Sequence, residues 1–76
     1  MSVNYLDLFK QLPHLDDGME VVDDWAYTPT LCHFDGRWAV NWLDEDAFSC
    51  QLFSAKTPEE AIQKAYDWCK SKDFIK

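Results

Sequence analysis

The segment that most constrains the fold is an Asp-Gly pair followed by a strand of alternating large side chains. Asp35-Gly36 lies between apolar runs, and this dipeptide is the strongest short-range signal for a two-residue hairpin loop. After it, Trp38, Val40 and Trp42 occupy every second position, so a β-strand places all three on one face. The sequence therefore predicts a hairpin in which residues 30–34 pair with the tryptophan strand.

The registers of this hairpin and of the next strand decide which side chains join the tryptophan face. A two-residue loop pairs His33 with Trp38 and Leu31 with Val40. The next predicted strand spans residues 48–55. An even-length loop before it would place Ser49 and Gln51 on the tryptophan face, whereas a loop of odd length would place there Phe48, Cys50 and Leu52. We predict the odd loop, because it gives one fully apolar face.

The clearest helix start is the segment at residues 56–60. Thr57 has the side chain of an N-cap, Pro58 suits the first helical position, and Glu60 completes a capping box. A helix is predicted from there to about residue 71, since apolar residues follow at helical spacing: Ile62, Ala65, Tyr66 and Cys69.

The N-terminal segment has the pattern of a second amphipathic helix. We predict it over residues 3–12, with Ser2 as a possible N-cap and Pro13 as its end. Leu6 widens an apolar stripe that consists of Tyr5, Leu8, Phe9 and Leu12. Residues 19–22 are a possible short edge strand.

These elements predict an α+β fold in one domain, residues 1–76. It comprises an N-terminal helix, a three-stranded antiparallel β-meander and a C-terminal helix packed on one sheet face. A chain of 76 residues buries a small core, and its aromatic content of 16% contributes large apolar surfaces to it. The cysteine count of three is odd and lacks ligand spacing, which predicts reduced, buried thiols.

The charge balance indicates which partners the protein would bind. Asp and Glu number 14 against 7 Lys and Arg, for a net charge of -7. This balance disfavours direct binding to nucleic acid or an anionic membrane and favours a partner protein with a basic surface. The sequence shows neither a signal peptide nor an apolar run of about 18 residues, so a cytoplasmic protein is expected.

Chemistry-bearing residues are few. Of the two histidines, His14 follows a helix-ending proline, and the predicted register places His33 roughly 10 Å from Cys50, too far for a Cys-His pair. No phosphate loop or nucleophile elbow is present. The acidic runs do not follow the spacing of a calcium loop. We therefore expect no enzymatic activity, no metal and no cofactor.

Acidic residues cluster before and after the hairpin, and they are the candidate partner-binding surface. Over residues 7–46 the sequence has ten acids and two bases. Such a surface directs a protein towards a basic groove, or it keeps a hydrophobic small domain in solution. The aromatic residues among the acids either anchor an interface or close the sheet. The candidate residues are Asp16, Asp17, Glu20, Asp23, Asp24, Trp25, Tyr27, Asp44, Glu45 and Asp46.

Residues 35–69 carry a family resemblance. They contain a Gly-x-aromatic-x-Val strand, a strand ending in Phe-Ser-Ala, and Lys-Thr-Pro-Glu-Glu-Ala-Ile entering a helix. In this order the segments resemble the phage sandwich-type domains of small bacteriophage and prophage proteins. The resemblance implies a bacterial or viral origin and an accessory role.

Small size, polarised acidity and absent catalytic groups lead to two functional hypotheses. The first is an inhibitor that binds a host nucleic-acid-handling complex, in the manner of an anti-CRISPR protein. The second is an interaction or assembly module. The protein would be a monomer, or a homodimer formed through the sheet.

Overall fold

The computed structural model describes residues 4–23 and 26–75, which form an antiparallel meander covered by helices. The elements in chain order are α1 (Tyr5–Lys10), β1 (His14–Leu15), β2 (Val21–Val22), β3 (Thr28–Phe34), β4 (Arg37–Leu43), β5 (Ser49–Ala55) and α2 (Pro58–Ser71). Strands β3, β4 and β5 form one sheet in that order, and β1 pairs with β2 in a separate two-stranded sheet. The α+β class and the three-stranded meander are confirmed, whereas the small second sheet was not predicted.

The β3–β4 hairpin has the predicted register. His33 lies opposite Trp38 and Leu31 lies opposite Val40. The two loop residues, Asp35-Gly36, have φ angles of 51° and 71°. Positive φ at both positions gives the type of two-residue turn whose backbone twist matches that of the flanking strands. The local dipeptide therefore sets the register of the central strand.

The predicted register of β5 is wrong, and a β-bulge is the reason. Leu43 pairs with Ser49, which leaves residues 44–48 as a connecting loop of the expected odd length. One step further Trp42 pairs with Gln51, so that Cys50 is an extra residue in β5. The extra residue moves every following side chain of β5 to the opposite face of the sheet. Gln51, Phe53 and Ala55 consequently join the tryptophan face, while Leu52 lies on the opposite face and is 44% exposed.

The core lies between the tryptophan face of the sheet and α2. Val40 and Trp42 are fully buried there, against helix residues that include Ala61, Ala65 and Cys69. The Trp42 ring meets Trp68 edge-on with ring centroids 5.8 Å apart. Its indole N–H donates to the carbonyl oxygen of Pro13 at 2.8 Å, which satisfies the one polar group of the buried ring.

Helix α2 begins and ends as predicted. The hydroxyl of Thr57 accepts a hydrogen bond from the Glu60 N–H at 3.2 Å, and Pro58 is the first helical residue. Lys64, which sequence spacing would pair with Glu60, donates from Nζ to the carbonyl oxygen of Ser54 at 2.9 Å. The helix is thereby attached to the outer strand of the sheet. Neither α2 nor α1 is long and apolar enough to cross a membrane.

The N-terminal helix is shorter than predicted. Asn4 is its N-cap, with Oδ1 accepting from the N–H groups of Leu6 and Asp7 at 3.1 and 3.4 Å. The predicted cap Ser2 lies outside the described residues. Leu6 is 61% exposed, so it does not widen the buried stripe.

Residues 19–22 do not extend the meander. Their last two residues form β2, which pairs with β1. Met19, with φ of 62°, lies in the turn between these two strands.

The thiols differ in burial. All three are free, and Cys69 is fully buried as predicted. Cys32 and Cys50 are only half-buried, which corrects the expectation for these two.

Candidate functional site

An acidic groove of about 740 Å³ lies at the end of the sheet where β3 begins and β4 ends. Six of the ten residues predicted for partner binding line it: Asp16, Asp17, Tyr27, Asp44, Glu45 and Asp46. Two acidic segments that are separated by the whole β3–β4 hairpin in sequence therefore share one concave surface. We call this surface the acidic groove.

Backbone pairing brings the two acidic segments together. Leu15 and Tyr27 exchange hydrogen bonds, with N···O distances of 3.1 Å and 2.8 Å, and this bridge places residues 16–17 beside Tyr27. Thr28, the next residue, pairs with Leu43 at the end of β4. The β4–β5 loop follows Leu43 directly, so its acids lie on the other side of Tyr27.

Two of the groove carboxylates also shape the turns that carry them. Asp16 Oδ1 accepts the Glu20 N–H at 2.9 Å. Asp44 Oδ1 accepts the N–H groups of Asp46 and Phe48 at 2.9 and 2.8 Å. Such local side-chain to backbone bonds are typical of Asp in turns. By contrast, Asp17, Glu45 and Asp46 are exposed.

The phenol of Tyr27 is electrostatically coupled to the groove acids. The interaction of its hydroxyl with the Asp17 carboxylate is the main reason that the pKa of Tyr27 lies above the ordinary value of 10.0. Desolvation and the negative charges of Asp17 and Asp44 raise this pKa further, because each disfavours the phenolate. Tyr27 therefore remains a neutral hydrogen-bond donor at physiological pH.

Asp17→Asn is expected to lower the pKa of Tyr27 towards 10.0, because it replaces the carboxylate acceptor, whose interaction with the phenol contributes most to the shift, by a weaker neutral one and also removes the negative charge. The pKa can be followed by NMR titration of the Tyr27 ring. Glu45→Gln is the matched control: Glu45 lines the same groove but is not among the groups that shift Tyr27, so the pKa should not change. Equal changes in both variants would contradict the contact between Tyr27 and Asp17.

Four of the predicted residues are not among those that line the groove. Glu20 and Asp23 are exposed and do not line the groove, and Asp24 and Trp25 lie outside the described residues. The sequence did not identify His14 and two threonines as groove residues. His14 Nδ1 lies 3.3 Å from Oγ1 of Thr28, and Thr30 lines the groove beside them. The bridge from Leu15 to Tyr27 explains this placement, since no local sequence signal joins His14 to β3.

The groove offers carboxylates, one phenol and small polar side chains, a combination that suits an ammonium or guanidinium group. Across residues 4–23 and 26–75, no group of three or more His, Cys, Asp and Glu side chains is arranged to hold a metal ion. Comparison with protein-family models, curated proteins and solved structures finds no match to this chain. The phage resemblance therefore stays a prediction.

Proposed function

We propose that this is a small, non-enzymatic protein of phage or prophage origin that acts in the cytoplasm as an inhibitor. It binds a basic surface of a host complex that handles nucleic acid, such as a CRISPR effector. The observation that supports the proposal is the acidic groove, which gathers acids from residues 16–17 and 44–46 around Tyr27.

The physical argument concerns competition for sites that bind phosphates. Proteins that bind nucleic acid carry clusters of Lys and Arg, which neutralise its phosphates and release the counterions condensed on them. A protein with a net charge of -7 is drawn to such a cluster and can occupy it. In the groove, Asp17 and Glu45 would contact basic side chains of the partner, and Tyr27 would supply a rigid aromatic contact.

Affinity capture combined with groove variants tests the proposal. The tagged protein is incubated with nuclease-treated bacterial lysate at low and high salt, and captured complexes are identified by mass spectrometry. The groove variant Asp16→Asn, Asp17→Asn, Glu45→Gln retains acceptor oxygens in the turns while it removes three charges. We expect it to weaken the affinity for the captured complex by at least about tenfold.

A charge-matched control separates the groove from net charge. Asp35→Asn, Glu59→Gln, Asp73→Asn also removes three negative charges, all from exposed residues that do not line the groove. Its affinity should stay within about twofold of the unmodified protein. Equal losses in the two variants would show that net charge alone matters, and an undiminished affinity in the groove variant would refute the electrostatic contact.

The second candidate function is an assembly module that forms homodimers through the sheet. It is favoured by apolar side chains on the sheet face opposite the tryptophans, where Phe34 is 45% and Leu52 44% exposed. Light scattering tests this candidate, and a strict monomer over a wide concentration range would refute it.

A further inference from the structure

The helices leave the sheet face opposite the tryptophans open. Helix α2 packs on β4 and β5, and α1 packs on α2. The sheet residues that join the core, such as Val40, Trp42 and Phe53, lie on the tryptophan face. The shortest principal extent of the molecule is 16 Å, which accommodates the sheet and one layer of helices. We call the opposite side the open face, and its residues include Thr30, Cys32, Phe34, Ala39, Asn41 and Leu52.

One end of the open face is basic. Arg37 precedes Trp38 in β4, so its side chain lies on the open face. Since Trp38 pairs with Ala55, one further step places Lys56 beside Arg37 on this face. Both cations are exposed, and like charges on neighbouring strands repel each other. Even with Asp35 in the adjoining turn, this basic end has an excess of positive charge that a negative surface would stabilise.

The other end of the open face is acidic. Thr28, Thr30 and Leu43 line the acidic groove, and each alternates with residues of the tryptophan face, so the groove extends onto the open face. The groove acids at residues 44–46 follow Leu43 directly. Leu43 lies about 20 Å from Arg37 along β4. The open face therefore has opposite charges at its two ends.

We propose that the open faces of two copies of this chain pack on each other with their strands antiparallel, so that the basic end of each copy lies against residues 44–46 of the other. A twofold axis between the sheets, across the middle of β4, produces this arrangement and places Arg37 over Leu43 of the second copy. A twofold axis along the strands would instead place Arg37 over Arg37. Charge complementarity therefore indicates both the second copy and its orientation. The inference rests on the second candidate function and assigns that dimer to one face in one orientation.

The open face has the size of a weak interface. Its three strands cover about 14 by 24 Å, since neighbouring strands lie about 4.8 Å apart and each residue advances about 3.4 Å. Such a face buries less than the roughly 800 Å² per partner of a standard interface, so the dimer should be reversible. Its apolar contacts come from Phe34 and Leu52, which are 45% and 44% exposed. Since the basic end of one copy occupies groove acids of the other, the dimer and a complex with a basic partner would exclude each other.

Sedimentation equilibrium on the full chain, from about 10 µM to about 1 mM, tests the proposal by measuring the dimer dissociation constant. Arg37→Glu places acid against acid and should raise this constant at least about tenfold. Lys70→Glu is the matched control, since it makes the same change of charge at an exposed residue of α2, on the other side of the sheet. It should change the constant by less than about twofold. The double variant Arg37→Glu, Glu45→Lys restores opposite charges and should recover most of the lost affinity.

NMR spectra over the same dilution series locate the contact. The backbone amide signals of Cys32, Ala39 and Leu52 should shift with concentration, whereas those of α2 should not. Circular dichroism confirms that each variant is folded. A monomer throughout the concentration range would overturn this inference together with the second candidate function. Equal effects of Arg37→Glu and Lys70→Glu, or a dimer without shifts on the open face, would overturn this inference alone.

Discussion

Trp42→Ala should cost about 3 to 5 kcal/mol in the free energy of unfolding, as large aromatic truncations in a core do. Trp42 is fully buried, and its ring packs edge-on against Trp68 and Phe53, with centroids at 5.8 and 6.1 Å. The substitution also leaves the carbonyl of Pro13 without its indole donor. For a domain of this size the melting midpoint should fall by at least about 12 °C, measured by calorimetry or circular dichroism.

Leu31→Ala is the control for this prediction. Leu31 lies on the tryptophan face, opposite Val40, but on the outer strand β3, where it is 37% exposed. Its truncation should cost less than about 1 kcal/mol. Trp42→Phe should cost an intermediate amount, because it keeps an aromatic ring but removes the donor to Pro13. An unchanged midpoint in Trp42→Ala would contradict the central position of β4.

The second large effect concerns the chemistry of Cys69. Burial raises the pKa of this thiol from its ordinary value of 9.0 to about 12. The thiolate is the reactive form, so at pH 8 alkylation of native Cys69 should be at least about a thousandfold slower than alkylation of the unfolded chain. Iodoacetamide labelling with peptide mass spectrometry measures both rates. Similar rates in the two states would contradict the burial of Cys69.

The same shift makes stability depend on alkaline pH. The folded state retains a proton on Cys69 between pH 9 and about 12, whereas the unfolded chain releases it. Stability from this group is therefore complete below pH 9 and declines as the pH rises towards 12. In Cys69→Ala this part of the pH dependence should be absent, which denaturant titrations at several pH values can show.

The elements predicted well are those whose signal is local. The Asp35-Gly36 loop fixes the hairpin register through two residues that adopt positive φ, and Thr57 with Glu60 fixes the start of α2. The bulge at Cys50 has no such signal, since any residue can occupy an unpaired position in a strand. The apolar pattern of Phe48, Cys50 and Leu52 therefore indicated the wrong face. An outer strand such as β5 can leave its more apolar side exposed, so the apolar pattern alone does not identify the buried face.

The sequence predicted which residues belong to the candidate site but not that they form a groove. The sequence identified both acidic runs and Tyr27, yet only the bridge from Leu15 to Tyr27 brings them to one groove. Long-range pairing of two short strands depends on tertiary contacts that single-residue preferences do not encode. The same bridge places His14 in the groove, and no sequence pattern around His14 predicts this position.

The hydrogen bond from Trp42 to Pro13 implies an order of events during folding. It joins residues 29 positions apart, whereas the meander and α2 connect elements that follow one another in the chain. Contacts between near neighbours close short loops and form sooner than contacts across long ones. We expect the N-terminal segment to dock last, onto a preformed meander. The fluorescence emission of Trp42 would then report the rate of that final docking step.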